Sequence, residues 1–241
     1  MDDSVRILGV RVDRLSNAEA ITRIEALIDA GGPHQIVTVN PEFVVIAQND
    51  PEFKGVLDAA DLALPDGFGL LWAARFKGRP LQERVTGTDT VEHLASLAAR
   101  RGFRLFLLGG REGVAKATAA ILESKYAGLS IAGTYEGSPA PAEDQIILER
   151  IQAARPQILL VAYGAPQQDK WIHRNLPKLG DLVAMGVGGA FDFLSGRVKR
   201  APAWMQNAGL EWLYRLAREP WRWRRILRLP KFVWLIVRSG Q

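Results

Sequence analysis

Short apolar runs alternate along the chain with longer stretches in which apolar residues recur every three or four positions. The short runs predict β-strands, and the longer periodic stretches predict α-helices. The predicted strands are Val5–Val10, Gln35–Val39, Leu62–Leu64, Phe103–Leu108, Leu129–Gly133, Ile158–Ala162 and Leu182–Gly186. The predicted helices include Ala18–Asp29, Asp89–Arg101, Gly113–Tyr126, Asp144–Ala154 and Gln167–Asn175.

Two of these strands contain unbroken apolar runs, which are Phe106–Leu108 and Ile158–Val161. Unbroken runs of this kind indicate burial on both faces, as in a parallel sheet. Strands and helices alternate from Arg84 to Phe193, which is the order of a doubly wound α/β fold. For residues 1–200 the pattern therefore predicts a Rossmann-like core, with a mostly parallel sheet and helices on both of its faces.

The character of the chain changes after Ala201 and Pro202. Five of the seven tryptophans lie beyond this point, interleaved with arginines. Pro220 and Pro230 are expected to divide the region into short helices, because proline interrupts helical hydrogen bonding. Residues 201–241 are therefore predicted to form a helical, basic, tryptophan-rich appendage to the core.

The net charge of +5 is concentrated in this C-terminal part. Residues 196–241 carry 11 Lys or Arg and 2 acidic residues, which leaves 20 basic and 24 acidic residues in positions 1–195. Such asymmetry suggests an anionic partner, which could be nucleic acid, anionic lipid or a phosphate-bearing substrate. Arginine together with tryptophan also fits the interface of an anionic membrane.

No segment of the sequence predicts a membrane span or a secretory signal. The longest C-terminal apolar run, Phe232–Val237, is far shorter than the roughly 20 residues that span a bilayer. The opening Met1–Ser4 is acidic and lacks the layout of a signal peptide. The absence of cysteine excludes disulfides and thiolate metal sites. We expect a cytoplasmic protein whose contact with a membrane is peripheral.

Polar and glycine-rich segments follow most of the predicted strands, where open parallel sheets bind their ligands. Asp66 is a carboxylate in a constrained turn, and it could be the general base of an inverting sugar transfer or could simply stabilise the turn. Thr38 and Asn40 point to the same face and could bind sugar hydroxyls. Asn40 precedes a proline, however, and asparagine there is also a common turn former.

Glycines also follow the strands at two places. The turn at Gly109 and Gly110 resembles a phosphate-cradling loop that opens a helix, although glycines at such turns often serve tight geometry alone. Gly109, Gly110, Gly186 and Gly188 together are predicted to line a diphosphate site. The turn lacks the full spacing of the dinucleotide fingerprint, and a Walker-type phosphate loop is absent.

Neither a metal ion nor a cofactor is expected. No two aspartates are separated by one residue, as in the motif with which many nucleotide-sugar enzymes hold a metal, and the three histidines have no ligand spacing. Cationic side chains would then have to neutralise a departing diphosphate. Arg215, Arg218, Arg222 and Arg225 recur at three- or four-residue steps and would line one helical face if Pro220 permits a continuous helix.

Several specific segments occur in a characteristic order. They are Thr38–Glu42, Pro65–Gly67, Tyr163–Trp171, Gly186–Asp192, Arg200–Pro202 and Glu219–Arg225. Taken together they resemble the WecG/TagA/CpsF family of bacterial glycosyltransferases over nearly the whole chain. The resemblance implies an inverting, metal-independent transfer from a UDP-sugar to a polyprenyl-diphosphate-linked saccharide in cell-surface or exopolysaccharide synthesis. The sugar would be N-acetylmannosamine, its uronic acid or glucose.

The same resemblance implies roles for individual residues. Asp66 matches the proposed base. The residues that match the substrate pocket are Thr38, Asn40, Arg84 and Gln168. Those that match appendage arginines closing over the diphosphate are Arg215, Arg222 and Arg225. Asp169 departs from the family pattern, since a glutamate is more usual at that position.

Two alternatives from other classes follow from the residues themselves. A Rossmann core could belong to a nicotinamide-dependent oxidoreductase, although the dinucleotide fingerprint is missing. The basic appendage could belong to a non-enzymatic module that binds membrane or nucleic acid. Such a module would leave the polar residues at the strand ends without a purpose, so we expect no nucleic-acid partner.

Overall fold

The computed structural model describes residues 3–220 and 223–239. The strands are β1 (Ser4–Ile7), β2 (Val10–Asp13), β3 (Pro33–Val39), β4 (Leu62–Pro65), β5 (Arg104–Gly109), β6 (Ser130–Tyr135), β7 (Ile158–Ala162) and β8 (Leu182–Gly186). The helices are α1 (Asn17–Ala30), α2 (Pro41–Ala47), α3 (Pro51–Ala59), α4 (Phe68–Phe76), α5 (Gly87–Arg101), α6 (Val114–Lys125), α7 (Asp144–Ala154), α8 (Gln167–Asn175), α9 (Ala190–Leu194), α10 (Ala203–Asn207), α11 (Glu211–Arg218), α12 (Trp223–Ile226) and α13 (Arg228–Ser239).

Six strands form one parallel sheet in the order β4-β3-β8-β7-β5-β6. Neighbouring side chains on a strand point to opposite faces, so Leu105 and Leu107 enter one core while Phe106 and Leu108 enter another. Helices α1, α5, α6 and α9 cover the first face. Helices α2, α3, α4, α7 and α8 cover the second. The predicted Rossmann-like α/β fold, with helices on both faces, is confirmed.

The sheet register brings the ends of several strands to one level. Val39 pairs with Pro65 at the ends of β3 and β4, and Val161 pairs with Gly186 at the ends of β7 and β8. Helices begin directly after these ends; α2, for example, is capped by the side chain of Asn40. The loops after the strands therefore converge on one edge of the sheet.

The first predicted strand, Val5–Val10, is wrong as a single element of this sheet. The chain reverses at Leu8 and Gly9, whose φ angles are 49° and 81°, and β1 and β2 form a separate antiparallel hairpin. Two consecutive positive φ values suit the tight turns that join such strands. The buried positions change phase at the turn, from Val5 and Ile7 in β1 to Val10 and Val12 in β2, and a prediction based on one apolar run over Val5–Val10 misses this change.

The C-terminal segment is helical as predicted, and one break lies beside Pro220 as expected, but Pro230 marks no break. Pro230 lies in the first turn of α13, where its missing N–H has no helical partner to lose, and it does not divide the helix. Helix α11 ends at Arg218, before Pro220, so the arginines do not share one continuous helix. In α13, Phe232 and Ile236 are buried in the core formed with α2, α3 and α4. The boundary at residue 200 remains a prediction.

Within residues 3–220 and 223–239, no helix is both long enough and apolar enough to cross a membrane.

Candidate active site

A cavity of about 420 Å³ lies at the carboxyl ends of the central strands. Its walls are mainly glycine backbone and polar side chains, and it is named the polar cavity. Thr38 and Asn40 border it from the end of β3, Asp66 from the turn after β4, Gln168 from α8 and Gly188 from the turn after β8. This edge of the sheet is where open α/β folds bind their ligands.

A second cavity, of about 1040 Å³, lies between α4 and the C-terminal helices. It is named the apolar cavity after the side chains that dominate its walls, which are Phe68, Trp72, Trp212, Leu227, Phe232 and Val233. The two cavities adjoin, and both are lined by Asn40, Asp66, Thr88, Phe193, Arg215 and Arg225. A ligand in either cavity would therefore lie next to Asp66.

The electrostatic surroundings of Asp66 favour a proton-accepting role. Its Oδ2 accepts a hydrogen bond from the Gly87 N–H at 3.4 Å, at the start of α5. Burial raises the pKa of Asp66 to about 6, against the lowering effects of the Gly87 N–H and the Arg84 guanidinium. The nearby Glu211 and Asp89 carboxylates raise the pKa further. A pKa close to neutrality suits a general base.

Arg84 lies beside Asp66 and lines the apolar cavity. Its Nη1 is 3.4 Å from Oε2 of Glu211, and its guanidinium carbon stands 4.9 Å from the centroid of the Phe68 ring. Glu211 begins α11, so the C-terminal segment holds this arginine against the core. The predicted pocket arginine is thus brought to the site through an acidic partner that the sequence did not indicate.

Arg200 forms a second link between the C-terminal segment and the core. Its Nη1 and Nη2 donate to Oδ1 and Oδ2 of Asp89 at 2.5 Å and 3.1 Å. Burial raises the pKa of Asp89, but Arg200 and the Thr86 hydroxyl outweigh burial and hold the pKa below its usual value. Arg200 also lies 3.7 Å from Glu211 through its Nε. The charges of these residues act on Asp66, although none of them lines the polar cavity.

Thr38 and Asn40 both engage protein groups as well as facing the polar cavity. Thr38 Oγ1 donates to the Gly186 carbonyl at 3.2 Å, which joins β3 to β8. Asn40 Oδ1 accepts from the Phe43 N–H at 3.0 Å and caps α2. The Asn40 amide nitrogen, which this cap does not use, is the group that could donate to a ligand.

Gln168 is almost completely buried and ties two loops together. Its Oε1 accepts from the N–H groups of Gly164 at 3.1 Å and Gly188 at 3.0 Å. The side chain thereby fixes the turn after β7 against the turn after β8. Its carbonyl oxygen is engaged by these bonds, so the predicted sugar contact would have to come from its amide nitrogen.

The predicted diphosphate lining comprises Gly109, Gly110, Gly186 and Gly188, of which Gly110 and Gly188 border the polar cavity. The Gly110 N–H donates to the Ala162 carbonyl at 3.1 Å. The Gly188 N–H donates to Oε1 of Gln168. A Cβ at Gly109 would lie 2.9 Å from the Ala162 carbonyl carbon. The structure therefore shows close packing at Gly109 and Gly186 but not at Gly110 or Gly188, and the N–H groups of Gly110 and Gly188 are already engaged within the protein.

Two of the three predicted arginines reach both cavities. Arg215, on α11, lies over the Phe193 ring with 4.6 Å between its guanidinium carbon and the ring centroid. Arg225, on α12, borders both cavities as well. Arg222 lies outside the described residues. The broken helix thus still delivers Arg215 and Arg225 to one place, through the fold of the C-terminal segment.

Glu42 is a site residue that sequence reasoning did not assign. Its Oε2 accepts from Arg225 Nη2 at 2.7 Å, its Oε1 accepts from Arg225 Nε at 3.0 Å, and Arg228 also pairs with it. Glu42 is in the first turn of α2 and lines the apolar cavity. It belongs to the segment Thr38–Glu42 noted above, which is the only sequence signal that could have marked it.

Asp169, the departure from the family pattern, lies behind the polar cavity. It is fully buried in α8, and burial raises the pKa of its carboxyl group to about 7. A Cβ at Gly186 would come within 2.6 Å of its Oδ1, so the side chain packs directly on the end of β8. The carboxyl group has a packing position and no direct access to a ligand.

Across residues 3–220 and 223–239, no three His, Asp or Glu side chains gather in an arrangement that could hold a metal ion.

The chain is similar to known proteins over most of its length. The profile described as the Glycosyl transferase WecG/TagA/CpsF family matches residues 5–241. A Bacillus subtilis (strain 168) protein named N-acetylglucosaminyldiphosphoundecaprenol N-acetyl-beta-D-mannosaminyltransferase is 37% identical over 205 residues, covering 85% of this chain and 79% of the relative. A Bacillus spizizenii protein of the same name is 37% identical over 203 residues, covering 84% of this chain and 78% of the relative.

Proposed function

The chain belongs to the WecG/TagA/CpsF family and is a glycosyltransferase, and from this premise we propose that it transfers a sugar from a UDP-sugar to a polyprenyl-diphosphate-linked saccharide with inversion. Among the sugars considered, N-acetylmannosamine is favoured, with a lipid-linked N-acetylglucosamine as acceptor, because the names of the two relatives specify that pair. The oxidoreductase and the non-enzymatic module are not retained as classes for this protein.

The observation that carries the proposal is the position of Asp66 between the two cavities. The UDP-sugar would occupy the polar cavity, and the diphosphate-linked acceptor would approach from the apolar cavity. The Asp66 carboxylate would take the proton of the acceptor hydroxyl while that oxygen forms a bond to the anomeric carbon. The bond from that carbon to the UDP oxygen breaks on the opposite side, which inverts the configuration.

The charge that develops on UDP in this reaction has to be neutralised. Arg215 and Arg225 border the polar cavity, and guanidinium groups pair well with phosphate oxygens. Their position supports a diphosphate clamp that needs no divalent ion. A cofactor is likewise no part of the proposed reaction, in which the UDP-sugar is consumed as a substrate.

Removal of divalent cations is therefore expected to leave the rate unchanged. Turnover would be measured with and without excess EDTA, with a metal-dependent sugar transferase in parallel to show that the chelator is effective. A strict requirement for added Mg²⁺ or Mn²⁺ would contradict the arginine clamp while leaving the glycosyltransferase class intact.

The rate is also expected to depend on pH through Asp66. A base works in its deprotonated form, so with a pKa of about 6 the value of kcat/KM should be level above neutrality and fall about tenfold per pH unit below 6. A profile measured between pH 5 and 9 tests this, with buffers checked for stability of the fold. A level profile down to pH 5 would argue against Asp66 as the base.

A donor screen tests the proposed function most directly. The protein would be incubated with UDP-sugars bearing N-acetylmannosamine, its uronic acid, N-acetylglucosamine and glucose, together with a polyprenyl-diphosphate-linked N-acetylglucosamine. Mass spectrometry of the lipid product identifies the transferred sugar, and the anomeric configuration of that product reports inversion. Turnover with another donor would revise the sugar, and retention of configuration would refute the single-displacement mechanism.

The proposed setting is the inner face of a bacterial plasma membrane, in the synthesis of a cell-surface or exopolysaccharide. A polyprenyl diphosphate is confined to a bilayer, so the enzyme has to meet its acceptor at the membrane surface. The basic, tryptophan-rich C-terminal segment supports such a peripheral contact.

A further inference from the structure

Helix α4 of the core and helix α13 of the C-terminal segment lie side by side. Near the start of α4, a Cβ at Gly69 would be 3.6 Å from the Phe232 ring, which is an ordinary van der Waals distance, so the start of α4 lies against α13. Just beyond the end of α4, Lys77 Nζ donates to Ser239 Oγ at 3.4 Å. Contacts at both ends show that the two helices run in the same direction.

The outer faces of both helices are apolar and exposed. On α4, Trp72 and Phe76 are 41% and 53% exposed, and their rings stack with centroids 5.7 Å apart. On α13, Val233 and Val237 are 45% and 47% exposed and lie one turn apart. Trp72 and Val233 also line the apolar cavity, so both rows of side chains adjoin it.

Charge distinguishes this surface from an ordinary patch of apolar residues. Residues 67–82 contain three Lys or Arg, residues 231–239 contain two more, and neither stretch has an acidic residue. Arg75 is exposed at the end of α4, and the guanidinium carbon of Arg238 lies 5.1 Å from the centroid of the Trp234 ring. Aromatic and aliphatic side chains rimmed by cations are typical of proteins that lie on anionic membranes.

We propose that the exposed faces of α4 and α13 form one composite surface that docks on an anionic lipid bilayer. Membrane contact then involves the α/β core itself, and the apolar cavity opens directly toward the acyl layer. The identity of the cavity's occupant rests on the proposed function, whereas the docking of the surface does not. Two copies placed face to face would bring their cationic rims together, and these rims would repel each other. Charge therefore favours an anionic bilayer over self-association.

Binding to vesicles without any acceptor tests the surface independently of catalysis. The probe is a vesicle of phosphatidylglycerol and phosphatidylcholine, and the readout is the bound fraction of the full chain after flotation. Phe76→Gln changes an exposed residue on a helix of the α/β core that lines neither cavity, and it is expected to lower the partition coefficient about tenfold. The matched control is Ile121→Gln on α6, where a similarly exposed apolar side chain lies outside this surface, and its partition should match that of the parent protein.

A second variant tests the electrostatic part. Arg75→Gln should weaken binding to anionic vesicles and leave the weaker binding to phosphatidylcholine vesicles unchanged. Unaltered vesicle binding by both Phe76→Gln and Arg75→Gln would overturn the composite surface. Loss of self-association in sedimentation by Phe76→Gln, without any change in vesicle binding, would assign the surface to a second copy instead. Turnover of a UDP-sugar is measured separately, so failure of the proposed transferase reaction would not imitate either outcome.

Discussion

Replacement of Asp66 by Asn is expected to lower kcat by about a thousandfold and to leave UDP binding nearly unchanged. The amide is close in size to the carboxylate but cannot take a proton from the acceptor hydroxyl, and general-base catalysis contributes about 10² to 10⁴ in rate. The lost step occurs in the transition state, so the effect should appear in kcat and only weakly in the affinity for UDP. Single-turnover rates and calorimetric titration with UDP separate the two.

The same variant should be more stable than the parent protein at neutral pH. A half-buried carboxyl group whose pKa is raised from 3.8 to about 6 holds its proton more tightly in the folded chain than in the unfolded chain. Folding is therefore penalised as pH rises through 6, and the penalty is fully present above it. An uncharged amide avoids this penalty, which is at most about 3 kcal/mol. Thermal unfolding at pH 8 and pH 5 should show a larger gain in stability at pH 8.

Asp192→Asn provides the matched control, since this carboxylate also lines the polar cavity and is given no role in proton transfer. It should retain most of the rate, which shows that loss of one negative charge is not itself sufficient. If Asp66→Asn retains activity, another group is the base. If it loses UDP binding as well, Asp66 shapes the donor site and the assignment of a purely catalytic role is wrong.

The part of the site that lies at the strand ends could be predicted because parallel strands place their carboxyl ends on one edge. Thr38, Asn40, Asp66 and Gln168 all border the polar cavity for this reason. Their partners were harder to find. Gln168, for example, holds the N–H of a residue 20 positions away, a distance that local periodicity does not report.

The apolar cavity was not predicted from the sequence. Helices α2, α3 and α4 were absent from the predicted elements, and α13 was expected to be divided at Pro230. The cavity depends on α13 packing against α4 with Phe232 buried, which is a tertiary contact between distant segments. Sequence composition indicated that the C-terminal segment is basic and aromatic, but not that its buried face completes the core.

The acidic partners of the arginines were also not predicted from the sequence. Glu42 and Arg225 are 183 positions apart, and Arg84 and Glu211 are 127 apart. Charge counts describe the C-terminal segment as uniformly cationic, whereas the fold sets individual carboxylates against selected arginines. Glu42 and Glu211 therefore determine where the positive charge stands, and a count of net charge cannot show this.

Replacement of Arg225 by Ala is expected to lower kcat/KM by about 10² to 10³, with a weaker affinity for UDP. This guanidinium borders both cavities and would be among the groups that stabilise the diphosphate as negative charge develops on it. Arg218→Ala is the matched control, because Arg218 is an exposed arginine of the same segment, contacts the Tyr214 ring and lines neither cavity. Its rate should be within about twofold of that of the parent protein.

The ion pair between Glu42 and Arg225 allows a second test of the role of Arg225. Glu42→Gln removes the carboxylate that orients Arg225 but keeps the arginine, so kcat/KM should fall by roughly tenfold, less than in Arg225→Ala. Combining the two changes should cost no more than Arg225→Ala alone, because Glu42 acts on the reaction through Arg225. Additive losses in this double-mutant cycle would mean that Glu42 acts on the reaction by another route. If Arg225→Ala matches the parent protein, the diphosphate is neutralised elsewhere and the proposed clamp fails.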